Sequence, residues 1–199
     1  MTTLYTVGHS QRTLDDLMSL LHAAGIATLV DVRRRPQSAR YPHFNEDSLR
    51  AAATAAGMQY HWAGRQLGGQ RAPLAGSPHR ALGDDGLRGY ADYMDQDAFA
   101  KAAAQLIGLA RRAPTAILCA ERDPLHCHRS LIADYLTLQG IEVIHLLDAG
   151  VSRPHALRPE ARRESARLVY DRHTSGELPL GQDEGSLATE AHGNTRTRQ

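Results

Sequence analysis

Only two cysteines occur among 199 residues, so the chain has no means of building the disulfide framework on which small secreted domains depend. Apolar runs of transmembrane length are missing as well, and the N-terminal MTTLYTVGHS lacks the charged-then-apolar layout of a secretory signal. Together these absences set a cytoplasmic location, reduced thiols and no membrane partner as the expectation. Excess charge of one sign is also absent. With 23 Lys and Arg against 22 Asp and Glu, the formal net charge of +1 gives no electrostatic case for nucleic acid, although local patches remain open. Cys119, Cys127, His128 and His9 offer soft and borderline ligands suited to zinc as a rival chemistry, but their spacing matches neither C-x-x-C nor H-E-x-x-H, so no metal site is assigned and any cofactor stays unknown. No internal repeat is evident.

What is present is an alternation of strand-like and helix-like segments, in a chain with 42% hydrophobic residues and enough length for one well-buried core. Leu4 to Val7 is β-prone and stops at Gly8-His9-Ser10. Thr13 and Asp16 fit a capping box ahead of the apolar stripe Leu14, Leu17, Met18 and Leu21. Ile26 to Val32 resumes as a strand and ends at Asp31 and a basic run, Arg33-Arg34-Arg35, closed by Pro36. Asn45 is placed to cap the next helix, Met58 to Trp62 is a weaker strand, and one or two helices cover Tyr90 to Arg111. Strands at Thr115 to Leu118 and Ile141 to Leu147 flank an amphipathic helix. The fold class expected is α/β: a single three-layer domain over residues 1–150, with a mostly parallel sheet of about five strands and helices on both faces. Residues 151–174, containing ARRESARLVY, are expected to form a helical C-terminal extension, and 175–199 a disordered tail.

Three strand ends converge on one edge in such a sheet, the usual place for an α/β site. They carry His9 and Ser10, then Asp31, Arg33 and Arg34, then Cys119 and Glu121. The last opens the stretch CAERDPLHCHRS, which holds both cysteines, with Asp123, Cys127, His128 and Arg129 following. A strand end beside arginines and a helix start favours a thiolate, and Cys127 is expected in the first helical turn, where the dipole would act on it. His126 and His128 flank Cys127 and point in different directions on a helix start, so at most one should share its site. Arg33, Arg34, Arg35 and Arg40 have the chemistry to hold phosphate or carboxylate, or else form structural ion pairs with Asp31 or Glu121. Tyr90, Tyr93, Met94 and Phe99 have helical spacing and are assigned to the core or a pocket wall. The Gly- and Pro-rich segment from 63 to 89, with LGGQRAPLAGSPHR inside it, is long enough for a binding loop.

TVGHS, LVDVRRRPQSARYPHFN, LGG at Leu67 to Gly69, RGYADYM at Arg88 to Met94 and CAERDPLHCHR, in this order, resemble the family called domain of unknown function 488, over roughly Leu4 to Gly150. The resemblance implies an α/β domain whose shared polar motifs fall here on His9, Asp31, Arg33, Arg34, Cys119, Glu121, Asp123, Cys127, His128 and Arg129. LVDVR at Leu29 to Arg33 and AILC at Ala116 to Cys119 are also similar in order to rhodanese-like domains, although here the loop after the cysteine is enlarged by Glu121, Asp123, Pro124 and a second cysteine.

The expected function is a cysteine-dependent transferase or hydrolase acting on a small anionic substrate or nucleotide. Catalytic roles fall to Cys119 as nucleophile, His9 or His128 as proton carrier, and Glu121 as an alternative acid or base, taken to be partly buried. Substrate contacts fall to Ser10, Asp31, Arg33, Arg34, Asp123, Cys127 and Arg129. The competing class is a non-catalytic module that binds a nucleotide, nucleic acid or metal in the same crevice.

Overall fold

The computed structural model describes residues 1–172, so the tail expected from 175 onward lies outside the described residues. The chain runs β1 (Thr3–Gly8), α1 (Leu14–Ala23), β2 (Thr28–Asp31), α2 (Glu46–Ala55), β3 (Gln59–Trp62), a short α3 (Gly64–Leu67), α4 (Asp85–Met94), α5 (Asp97–Arg112), β4 (Thr115–Cys119), α6 (Arg129–Leu138), β5 (Glu142–Asp148) and β6 (Val151–Pro154). A separate hairpin, β7 (Ala161–Glu164) with β8 (Arg167–Tyr170), completes the described chain.

The sheet order is β3-β2-β4-β1-β5-β6, parallel throughout except for β6. β4 is buried at all five positions, as a central strand covered on both faces must be. On one face Leu17, Leu20 and Leu21 of α1 pack with Leu49 and Ala53 of α2. On the other, Phe99 and Leu106 of α5 join Leu131, Ile132 and Leu136 of α6. The three-layer expectation therefore holds. The sheet has six strands rather than about five: β6 is exposed at every position, so no apolar alternation marks it in the sequence.

Local signals account for much of this. Thr13 Oγ1 accepts from the Asp16 N–H at 3.1 Å and the Asp16 carboxylate accepts from the Thr13 N–H at 3.4 Å, the reciprocal box that starts α1. Thr13→Ala is expected to cost about 1 kcal/mol, a fall of roughly 2–4 °C in Tm by calorimetry. Asn45 behaves differently from expectation: it stands at the cap of α2, but its side chain accepts from Ser38 N at 2.7 Å and pins the preceding loop.

The helical extension expected after 151 is not what forms. ARRESARLVY folds as β7 and β8 around Ser165, whose φ is +55°. Leu168, Val169 and Tyr170 are buried, and the Tyr170 hydroxyl donates to Asp134 Oδ2 on α6 at 3.0 Å. Asp134 Oδ1 accepts from His155 at 2.8 Å and from the Arg158 N–H at 3.1 Å, so a fully buried carboxylate ties the C-terminal segment to the body. Among the described residues no helix is long and apolar enough to cross a membrane.

Candidate functional site

Two connections leave the sheet in opposite directions beside each other. From β1 the chain goes by way of α1 past β4 to β2, and from β4 it goes by way of α6 past β1 to β5. The loop after Cys119 therefore crosses the end of β1, and that crossing needs a residue without a side chain. A Cβ on Gly8 would sit 1.8 Å from the Glu121 carbonyl oxygen and 2.9 Å from Arg129 Nη1. β1 continues its ladder beyond the strand, with His9 N–H donating to Cys119 O at 2.9 Å and Ser10 N–H to Ala120 O at 2.8 Å. His9, Ser10, Asp31, Arg33, Cys119 and the following loop are thus neighbours.

A cavity of about 920 Å³ opens over this edge. Cys119, Cys127, His128, His9 and Arg33 lie against it, with Ser10, Arg34, Arg35, Arg40, Glu121 and His126 also on its walls. Gly69 and Gln70, from the long Gly- and Pro-rich segment, line it too, so that segment reaches the crevice as its length suggested.

At the cavity floor His128 Nδ1 stands 3.8 Å from Cys119 Sγ and 3.7 Å from Cys127 Sγ. Its Nε2 faces the Val32 carbonyl oxygen at 3.2 Å. A carbonyl only accepts, so Nε2 carries a hydrogen, and Nδ1 is the nitrogen turned toward the two sulfurs. Gly69 leaves the space the ring occupies, since a Cβ there would meet His128 Nδ1 at 2.8 Å. The Cys119 thiol is held well below its ordinary value, first by a hydrogen bond from the Cys127 thiol and then by the positive charge of His128 and Arg129, with burial opposing. Cys127 moves the other way: burial and its role as donor to Cys119 push it well up. Cys127 precedes α6 rather than lying in its first turn; His128 is the cap and the helix begins at Arg129.

The second half of the floor is ionic. Asp31, fully buried, accepts from the Arg33 backbone N–H at 2.9 Å, from Arg33 Nε at 2.9 Å, from Arg33 Nη2 at 2.5 Å and from the Tyr60 hydroxyl at 2.9 Å. Arg33 Nη1 reaches His9 Nε2 at 3.3 Å, while His9 Nδ1 faces Ser10 O at 3.0 Å. A guanidinium only donates, so His9 Nε2 accepts from Arg33. Burial, with Arg33 adding to it, brings the His9 value down to about 4, so His9 is a neutral support for Arg33 at physiological pH.

Several residues sit where the sequence did not place them. Arg129, only 1% exposed, turns into the loop and donates from Nη1 to Glu121 O and from Nη2 to Arg122 O at 2.6 Å; it is absent from the cavity wall. Glu121 is exposed at the rim, not the partly buried carboxylate that an elevated acid would require. Asp123 is exposed, and its Oδ1 accepts from the Leu125 N–H at 3.0 Å. Asp31 serves Arg33 instead of facing the cavity. Arg33 is thus both ion-paired and on the cavity wall. Among the histidines flanking Cys127, His128 shares its site closely; His126 is exposed and faces Asp123 at 3.4 Å. Two supports went unread: Tyr60, which holds Asp31, and the Val32 carbonyl, which orients the His128 ring. Neither has a sequence signal, because both contacts join separate strands and loops. Tyr90, Tyr93 and Phe99 are buried aromatics in mutual contact, with Tyr90 against the His128 ring at 5.0 Å.

A family model described as Domain of unknown function DUF488 matches residues 13–136, which takes in β2 to β4 and the whole Cys119 to Arg129 loop. No curated protein and no solved structure matches, so the likeness to rhodanese-like domains rests on motif order alone.

Proposed function

We propose, for a chain that belongs to the DUF488 family of domains of unknown function, that it is a thiol-dependent enzyme acting on a small anionic molecule in the arginine-lined crevice. The observation that carries this reading is the orientation of His128. Its Nδ1 lies 3.8 Å from Cys119 Sγ at the floor of the cavity, with the ring held from behind by the Val32 carbonyl. Cys119 gives its proton to His128 Nδ1, in line with its lowered thiol value, and its Sγ then bonds to an electrophilic centre; the leaving group departs with its bonding electrons and takes that proton from Nδ1. Arg33 offers the anion a fixed cation at depth, and Arg34, Arg35 and Arg40 offer mobile ones at the rim. The cavity volume of about 920 Å³ suits a nucleotide-sized ligand better than a single oxyanion.

Alkylation tests it without knowledge of the substrate. At neutral pH, metal-free protein should lose Cys119 ahead of Cys127 by peptide mass spectrometry. Iodoacetate should gain on iodoacetamide by on the order of 10-fold relative to the same pair on free cysteine, because the arginines concentrate the anion. Arg34→Ala with Arg35→Ala should remove most of that preference, and His128→Ala should slow both reagents. If Cys119 is inert in metal-free protein, the nucleophile reading fails and the crevice becomes that of a binding module.

A further inference from the structure

Nucleophilic attack needs one sulfur, yet two converge on His128. We infer that Cys119 Sγ, Cys127 Sγ and His128 Nδ1 form a site for a thiophilic divalent cation, of which zinc is the reference, with a fourth coordination position open to the cavity.

The three donor atoms lie within 4.8 Å of one another, with nitrogen–sulfur separations of 3.8 and 3.7 Å. A tetrahedral zinc ion with sulfur at about 2.3 Å and nitrogen at about 2.0–2.1 Å spaces its donors by roughly 3.6–3.8 Å, so the nitrogen–sulfur separations already fit and the two sulfurs need to close by at most about 1 Å. The histidine is already oriented as a metal needs: Nδ1 faces both sulfurs, while Nε2 is held by the Val32 carbonyl, the outer hydrogen bond that ligating histidines commonly make.

Backbone placement keeps the donors in position. Cys119 ends the central strand β4, and Cys127 is bracketed by hydrogen bonds from its own N–H to Pro124 O at 3.1 Å and from Ser130 N–H to its carbonyl at 2.9 Å. Two thiolates and an imidazole select zinc-like ions over magnesium or calcium, which take oxygen ligands. Three protein donors with the fourth position facing a crevice is the open arrangement, as opposed to a closed structural site. Glu121 and Asp123, the acids nearest in sequence, are exposed and do not belong to the donor group.

This goes beyond the thiol reading. An ion held by both sulfurs occupies the Cys119 lone pair, so the metal-bound and nucleophilic forms are alternative states of one site, and zinc should protect Cys119 from alkylation.

The experiment uses the full chain, stripped with chelator and kept reduced with a phosphine. Cobalt(II) is added first, because a thiolate–cobalt bond gives near-ultraviolet charge-transfer bands that histidines elsewhere in the chain cannot produce. Zinc is then titrated against a chromophoric chelator. One equivalent of cobalt with those bands, displaced by one of zinc, is expected; Cys127→Ser should weaken zinc by more than the roughly 10–100-fold that loss of a ligand's supporting hydrogen bond costs. Absence of charge-transfer bands in the wild-type protein overturns the site, as does unchanged zinc affinity in a folded Cys127→Ser protein. Alkylation of metal-free wild type separates the two ideas: a reactive Cys119 without zinc binding leaves the thiol reading standing alone. Stoichiometric zinc with an inert metal-free Cys119 retains the metal site and removes the nucleophile.

Discussion

Asp31→Asn should lower stability by about 3–5 kcal/mol, because it removes one partner of a buried ion pair and leaves the other charged. Arg33 is 6% exposed and Asp31 is fully buried, so water cannot replace the lost counter-charge. The carboxylate also accepts from the Tyr60 hydroxyl and from the Arg33 backbone N–H, and an amide of the same shape meets these donors with one acceptor oxygen instead of two. For a domain of this size the loss corresponds to a Tm lower by roughly 6–20 °C. The site should suffer as well: Arg33 Nη1 is the donor to His9 Nε2, so a displaced guanidinium withdraws the fixed cation from the cavity floor and weakens the preference for iodoacetate. Tyr60→Phe removes one of these bonds and keeps the charge pair, so it should cost only about 1 kcal/mol. Thermal unfolding of both variants decides the matter; equal losses would show that the charge is not what Asp31 contributes.

Gly8→Ala is the second large effect. The added methyl would lie 1.8 Å from the Glu121 carbonyl oxygen and 2.9 Å from a buried guanidinium nitrogen of Arg129, neither of which is a free side-chain tip. The loop must lift, and with it go the carbonyls of Glu121 and Arg122 from Arg129. The cost should reach at least the upper end of the roughly 1–3 kcal/mol seen for overpacked interiors. Because the same loop sets Cys127 and His128 against Cys119, the variant should also lose the order in which the two cysteines alkylate. Gly83→Ala, where nothing lies within 4 Å of the new methyl, is the control and should behave as wild type. A Gly8→Ala protein with unchanged Tm and unchanged labelling would show that the crossing of the two connections does not constrain the site.

Much of the site was legible in one dimension because parallel α/β topology converts chain order into proximity. Strands ending in Gly8, Asp31 and Cys119 with helices between them have few ways to pack, and each brings its terminal loop to the same edge. The capping box at Thr13 and the spacing of Tyr90 and Tyr93 were equally readable, since both depend on neighbours a turn away, whereas Phe99 meets the two tyrosines from the next helix. ARRESARLVY was not. Its charges suit an exposed helix and a hairpin alike, and the choice is made by Tyr170 reaching Asp134, 36 residues away in sequence. Arg129 likewise shares composition with a substrate arginine, but its direction follows from the carbonyls that a crossing loop leaves inside.

The sequence by itself therefore determined the class of fold, the edge at which the polar side chains gather and the residue types available there, because these follow from periodicity and chain order. Only the tertiary structure decided which nitrogen of His128 faces the sulfurs, which arginine faces the cavity and which faces the loop, and that both sulfurs meet the same histidine nitrogen. Those outcomes rest on contacts such as Val32 with His128, 96 residues apart, and Gly69 against the same ring. Hydrogen-bond direction and close approach act across the fold, and no local pattern encodes them.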